Sequence, residues 1–384
     1  MHILDRRVIC VAFMLALIAT TEARPGYLRY PDIHGDHVVF TAEGDLWLVG
    51  TDGSDPRRIT SHPGDEIMAR FSPDGMWIAF AGDYDGNRDV YVMPARGGEP
   101  QRLTWHPDAE EPIGWMPDGS RILFQSSRES PHWDDELYSV ARGGGDAEKL
   151  RIGPAVWLDV DPESGRWAFT RLWGGGTWKR YRGGTAPDIW VGHPDSADFV
   201  RVTTFDGLDA APMWRDGRIF FLCDRGGTAN VWSMLPDGSD QAQHTRFTEW
   251  DARWPAMGPD GRIVFGLAGD IHVFDPASGE EEVIPIELPS ERILTRTRYP
   301  EAGQYLTEFA LAPTGDRLAV VTRGEIFSVP AKEGVTIPIT QGSGAREHRV
   351  GFDPKGEKVV YVTDDSGEEA IVTADAWGRG ASRR

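Results

Sequence analysis

Ser72-Pro-Asp-Gly-Met-Trp-Ile-Ala-Phe80, followed by Asp89-Val-Tyr91 and Arg102-Leu-Thr104, contains one full repeat unit of this chain. The first four residues form a turn: Pro presets φ at the first corner, and Asp-Gly tolerates the positive φ that a tight hairpin needs. The same turn recurs as Met116-Pro-Asp-Gly119 and Gly258-Pro-Asp-Gly261. Weaker copies are Asp161-Pro-Glu-Ser-Gly165, Trp214-Arg-Asp-Gly217, Ala312-Pro-Thr-Gly315 and Asp353-Pro-Lys-Gly356. Asp74 to Asp118 is a step of 44 residues, and so is Asp216 to Asp260. A period of about 40–45 residues is one four-stranded propeller blade.

The rest of the unit keeps phase with the turn. An apolar run follows each one, as in Arg121-Ile-Leu-Phe124, Arg218-Ile-Phe-Phe221 and Lys358-Val-Val-Tyr361. Such runs suit strands buried on both faces. A strand opening on an acid or amide comes next: Asp45-Leu-Trp47, Glu136-Leu-Tyr138, Asp188-Ile-Trp190, Asn230-Val-Trp232, Asp270-Ile-His272 and Glu325-Ile-Phe327. The outer strand is read at Arg58-Ile-Thr60, Val200-Arg-Val-Thr203, Arg246-Phe-Thr248 and Pro338-Ile-Thr340.

The fold class is therefore all-β. Six blades fall within 28–287, and two more repeats within 305–376. Between them the step from Asp260 to Thr314 stretches to 54, across a Pro-containing break at 284–299. One eight-bladed ring is a possible count. The break favours a six-bladed β-propeller followed by the first two blades of a second propeller, with 288–304 as linker and 377–384 as a frayed tail.

The net charge of −20 gives a nucleic-acid binder no basic stripe to work with. It reads as a solvated surface, or as a negative channel favouring cationic groups. Arg6 and Arg7, the apolar stretch 8–19 and Thr21-Glu22-Ala23 have the pattern of an export signal over 1–23. The apolar stretch is short for a membrane span. The mature chain is thus expected to be periplasmic or extracellular and free of the membrane. Cys10 leaves with the signal, so Cys223 has no disulfide partner and reads as a small buried hydrophobe.

Three segments carry a resemblance: Gly44-Asp-Leu-Trp-Leu-Val49, Arg88-Asp-Val-Tyr-Val-Met-Pro-Ala-Arg-Gly-Gly-Glu-Pro-Gln-Arg-Leu-Thr-Trp-His-Pro107, and Trp178-Lys-Arg-Tyr-Arg-Gly-Gly-Thr-Ala-Pro-Asp-Ile-Trp190. They resemble the N-terminal propeller region of tricorn proteases, and the third is the most specific, since generic propellers lack its inserted stretch. The resemblance implies a six-bladed propeller, then a seven-bladed one, then a catalytic half holding the serine nucleophile and histidine base. It also implies a hexamer whose propellers gate peptides. The family's catalytic residues have no counterpart positions in this chain. The expected role is thus the non-catalytic propeller portion of a secreted tricorn-like serine protease, with peptides, a C-terminal protease half and further copies as partners. The alternative is a stand-alone periplasmic interaction module similar to the Tol-system propeller.

A direct search for chemistry finds little. Gly342-Ser-Gly344 lacks the spacing and strand–turn–helix setting of a nucleophile elbow. No phosphate loop ending in Lys-Ser or Lys-Thr is present, so no cofactor is expected. His34 and His37 fall on a turn, and His62 and His106 occupy equivalent repeat positions, so they make no zinc site. Asp83-Tyr-Asp85-Gly-Asn87-Arg-Asp89 alternates oxygen donors as a calcium loop does, but the helical calcium pattern fails and a hairpin is the simpler reading. The insert 172–187 stands out, lengthening one step to 53 (Glu163 to Asp216). Its Trp173, Trp178, Lys179, Arg180, Tyr181 and Arg182 could grip a peptide carboxylate or a neighbouring subunit, or could pack as structural cover.

Overall fold

The computed structural model describes residues 27–379, except 133, 173–178, 197, 291–295, 298, 300 and 342–343. The export signal expected at 1–23 lies outside the described residues, as do Trp173, Trp178 and Ser343. The chain divides into two compact units, Met1–Thr295 and Arg296–Arg384.

In the first unit the described residues form six four-stranded antiparallel sheets, over 29–58, 66–102, 111–154, 156–201, 209–243 and 253–283. The strands of each sheet follow one another in sequence order. The innermost strands are Arg29–His34, Glu66–Phe71, Glu111–Trp115, Val156–Val160, Asp209–Arg215 and Arg253–Met257. Each sheet packs face-on against the next, and the first packs against the sixth, which closes the ring. Apolar clusters fill each of these junctions. The second strand of every sheet contributes one fully buried phenylalanine: Phe40, Phe80, Phe124, Phe169, Phe221 and Phe265. The apolar runs read from the sequence thus become the strands sandwiched between neighbouring sheets.

Among the described residues no strand is exchanged at the seam between the first and sixth sheets. Instead both ends of the ring overlap it. Leu28 N–H donates to Gly269 O at 3.0 Å, and Arg262 Nη2 donates to Gly35 O at 2.7 Å. Beyond the last strand, Ile284, Ile286 and Leu288 pack into the same apolar cluster, and Ser290 Oγ donates to Glu43.

The hairpin turns obey the sequence. Gly75, Gly119, Gly217 and Gly261 all take positive φ, between 69° and 88°. The Asp83–Asp89 stretch is a hairpin, with Asp83 paired to Arg88 across the strands. One strand assignment needs correction. The outer strand of the fifth sheet is Ala242–Gln243, not Arg246-Phe-Thr248. Thr245 takes the position expected for Thr248, its Oγ1 accepting from Val231 N–H at 2.9 Å. The Arg-Phe-Thr run is instead bent around Asn230, whose Oδ1 accepts from Phe247 N–H at 2.7 Å.

The second unit holds a 3-10 turn, Ala302–Tyr305, a four-stranded sheet over 306–338 and a three-stranded sheet over 347–375. These two sheets share one core that includes Val321, Ile326, Val359 and Tyr361.

Candidate functional site

The six innermost strands surround a central cavity of about 470 Å³. That lies within the ~300–1,000 Å³ typical of ligand pockets. Its wall carries two buried charged side chains, Asp32 and Arg70, and a partly buried one, Asp159. They occupy equivalent places, since Asp32 faces Val39, Arg70 faces Ala79 and Asp159 faces Ala168 in their hairpins. The corresponding positions in the third, fifth and sixth sheets are Gly114, Met213 and Ala256.

The two carboxylates act alike. Asp32 Oδ2 accepts from Phe71 N–H at 2.6 Å, and Asp159 Oδ2 accepts from Trp214 N–H at 2.6 Å. Each therefore ties its own sheet to the next through a backbone amide. Burial pushes both carboxyls up to about 6, against the pull of these amides. Arg70 lies close enough to Asp32 to lower its pKa, while burial lowers that of Arg70 itself. The Arg70 guanidinium donates to Ile113 O at 3.3 Å, Pro31 O at 3.4 Å and Ala69 O at 3.2 Å.

In the first, second and fourth sheets the acid that opens the third strand has a structural task. Thr60 at the end of the outer strand accepts from Leu46 N–H at 2.8 Å. Thr104, Thr203 and Thr340 do the same for Val90, Ile189 and Ile326. The arginine two residues earlier pairs with the opening acid: Arg58 with Asp45 at 3.2 Å, Arg102 with Asp89 at 2.6 Å, and Arg201 with Asp188 at 3.2 Å. These pairs pin the outer strand to the third strand. Arg102 also binds Asp85 at 2.6 Å, and Asn87 Nδ2 donates to His106 O at 2.7 Å, so the alternating acids serve ion pairs and loop closure. Among the described residues no group of three or more His, Cys, Asp or Glu is placed to hold a metal ion. Next to Asp45, the carboxyl of Glu66 is fully enclosed, and burial pushes it up to about 7.

The insert leaves the fourth sheet between its second and third strands, and so lies on the face opposite the Pro-Asp-Gly turns. Its described cations are engaged within the ring. Arg182 Nη1 donates to both Asp224 carboxylate oxygens, at 2.8 and 3.1 Å, and Arg180 Nε donates to Gly227 O at 2.7 Å. Lys179 Nζ donates to Glu249 O at 2.5 Å. Tyr181 Oη accepts from Thr185 Oγ1 at 2.9 Å. Arg182 and Arg225 both approach the Phe205 ring, at 4.8 and 4.9 Å. The basic residues picked out in the sequence thus fasten the insert to the fifth sheet and to the segment leading into the sixth. Asp32, Arg70 and Asp159 were not singled out. They sit at a repeat position whose identity changes from sheet to sheet, and that irregularity was the available signal.

Comparison with known proteins matches residues 25–280 to the tricorn protease N-terminal β-propeller domain. The chain is 33% identical over 367 residues to tricorn protease homolog 1 of Streptomyces coelicolor, covering 94% of this chain and 34% of that protein. It is 28% identical over 365 residues to the tricorn protease homolog of Saccharolobus solfataricus, covering 91% and 33%. Among solved structures, it superposes on a crystal structure of the tricorn protease with a TM-score of 0.73 at 26% identity, covering 94% of this chain and 35% of that one. The chain spans about a third of the length of these relatives.

Proposed function

Because the chain belongs to the tricorn protease N-terminal β-propeller family, we propose that it gates or guides peptides toward a protease active site carried elsewhere in a tricorn-like assembly. The observation that carries this reading is the central cavity, built from the innermost strands of the family-matched ring. A ring of this kind acts by admission: an extended chain fits between the strands, and a folded protein does not. The six sheets at 28–287 then serve as one complete propeller, and those at 305–376 as the start of a second. The partners in this reading are peptides, a C-terminal protease half and further copies of the chain in a hexamer. The segment 1–23 directs export, and the protein works outside the cytoplasm.

The test is a peptidase assay with fluorogenic peptides on the purified chain, alone and mixed with a separately expressed C-terminal half. The expected result is no cleavage by the chain alone and an altered rate or product pattern in the mixture. Unaided cleavage would place an active site on the propeller and overturn the reading. If the other half's cleavage is unchanged, the chain is an interaction module instead.

A further inference from the structure

Three junctions between neighbouring sheets of the ring bring two acids together. One acid opens the third strand, and the other stands at the head of the next sheet's innermost strand. The pairs are Asp45 with Glu66, Asp89 with Glu110, and Asp188 with Asp209. Their backbone places are the same. The N–H groups of Glu66, Glu110 and Asp209 donate to Gly44 O, Arg88 O and Pro187 O at 2.7, 2.9 and 3.2 Å, each carbonyl one residue before the opening acid.

Two of the pairs have an arginine for each acid. Arg102 binds Asp89 and Arg128 binds Glu110, at 2.6 and 2.7 Å. Arg201 binds Asp188 and Arg225 binds Asp209, both at 3.2 Å. Arg225 stands two residues past Cys223, which faces Asp209, and Arg128 holds the same place in the third sheet. At the first junction Gly82 faces Glu66, and two residues past it comes Tyr84. Arg58 pairs with Asp45 there, at 3.2 Å and with its side chain 43% exposed.

Two enclosed acids thus meet one outlying guanidinium. Glu66 is fully buried and Asp45 nearly so. Their carboxyls lie within hydrogen-bonding reach of each other, and the Tyr84 hydroxyl lies beside Glu66. An ionised carboxylate only accepts, so contact between two carboxyls needs a proton on one of them. Arg58 and the His62 N–H both donate to Asp45, which favours its charged form. Glu66 takes the Thr60 hydroxyl at 3.0 Å, yet burial pushes it up to about 7 and the Asp45 charge adds to the rise. The other titratable groups around the pair are Asp65 against Gly44, His62 stacked on Tyr84 with centroids 4.2 Å apart, and Tyr91 on Tyr84 at 4.6 Å.

We propose that Asp45 and Glu66 share one proton in place of the missing arginine, and that this makes the junction between the first and second sheets a latch that opens as the pH rises. Tyr84 carries the effect to the surface, because it lies at once beside Glu66 and against His62 of the connection 59–65. Opening the pair to water returns Glu66 to its ordinary 4.5 and releases the proton, so opening becomes easier from pH 4.5 to 7. The connection 59–65 then leaves Tyr84, while 103–110 and 202–208, beside the arginine-held pairs, stay in place. The ring thereby gains a local pH response on the face that bears the insert, whether or not it gates peptides.

Amide hydrogen exchange of the full-length chain, corrected for the intrinsic rate, tests this peptide by peptide. Protection of 59–65 should fall by at least about tenfold between roughly pH 5 and pH 7, one pKa unit being a factor of ten. Protection of 103–110 should hold. Equal protection of 59–65 at the two pH values, or a parallel fall at 103–110, would overturn the proposal. Glu66→Gln keeps a neutral group of the same shape and should make 59–65 insensitive to pH. A response that persists in that variant would also overturn it. Tyr84→Arg supplies the guanidinium that Arg128 supplies at the next junction, and should abolish the response with Glu66 still present. Should that variant fail to fold, Glu66→Gln decides alone. His62→Gln should leave the response intact; its loss there would make the imidazole the titrating group and sink the shared proton.

Discussion

The six-sheet ring and the two-sheet unit are written in the same repeat but bury it differently. In the ring, the second-strand phenylalanines are all 0% exposed, and the innermost strands are covered by a sheet on each side. In the second unit, the innermost strand Leu306–Leu311 leaves Leu306 49%, Phe309 68% and Leu311 59% exposed. A blade's sequence supplies the apolar face, and its neighbours bury it. Stability in such arrays is a sum over junctions. The ring has six filled junctions among its described residues, and the second unit has one.

The largest effect should come from the buried phenylalanines. Phe124→Ala should cost the ring about 3–5 kcal/mol, while Phe309→Ala should stay within about 0.5 kcal/mol. Urea unfolding of the full chain, followed separately for the two units, measures both. Similar costs would break the comparison.

A smaller effect should appear in the pH dependence of the ring. Glu66 is raised to about 7 from an ordinary 4.5 by burial, so the folded ring favours its protonated form. That contribution is fully present below about pH 4.5 and is lost as the pH rises through 7. Asp32 and Asp159, each near 6, act in the same sense. The ring should therefore lose stability between pH 4.5 and 7, and Glu66→Gln should remove about 2 kcal/mol of that loss. Melting curves at intervals across this range are the measurement. An unaltered slope in the variant would assign the dependence to other groups.

The smallest expected effect is at the insert. Arg182→Ala leaves the nearly enclosed Asp224 without its guanidinium and should destabilise the ring by about 1 kcal/mol. Limited proteolysis should then cut between 179 and 187 faster than in the parent chain. Equal rates would mean that Arg180 and Lys179 hold the insert alone.

The repeat was legible because its signals are local. Pro-Asp-Gly demands a turn, Arg-Ile-Leu-Phe demands a buried strand, and Arg102 with Thr104 foreshadows a strand pinned to Asp89. The outer strand of the fifth sheet was misplaced because Arg246-Phe-Thr248 imitates that local pattern. What decides between the two places is Asn230, a partner sixteen or more residues away. The central cavity was less legible for a similar reason. Asp32 and Asp159 bind amides of the next sheet, and the innermost strands bulge at left-handed residues that include tyrosine, methionine and tryptophan instead of the glycine that marks such a conformation. Sequence gives the side chains of a bulge no label.

The seam carries a last consequence, for the order in which the ring assembles. The contacts within a sheet join residues close along the chain, but the seam joins Arg262 to Gly35 across 227 positions and Ser290 to Glu43 across 247. Loop-closure entropy grows with that separation and opposes early formation of such contacts. The six sheets are therefore expected to accumulate first as an open arc, with the seam locking last. Because no strand is shared there, the locking step rearranges no existing ladder. It is a docking event, and unfolding of the ring is expected to begin by undoing it.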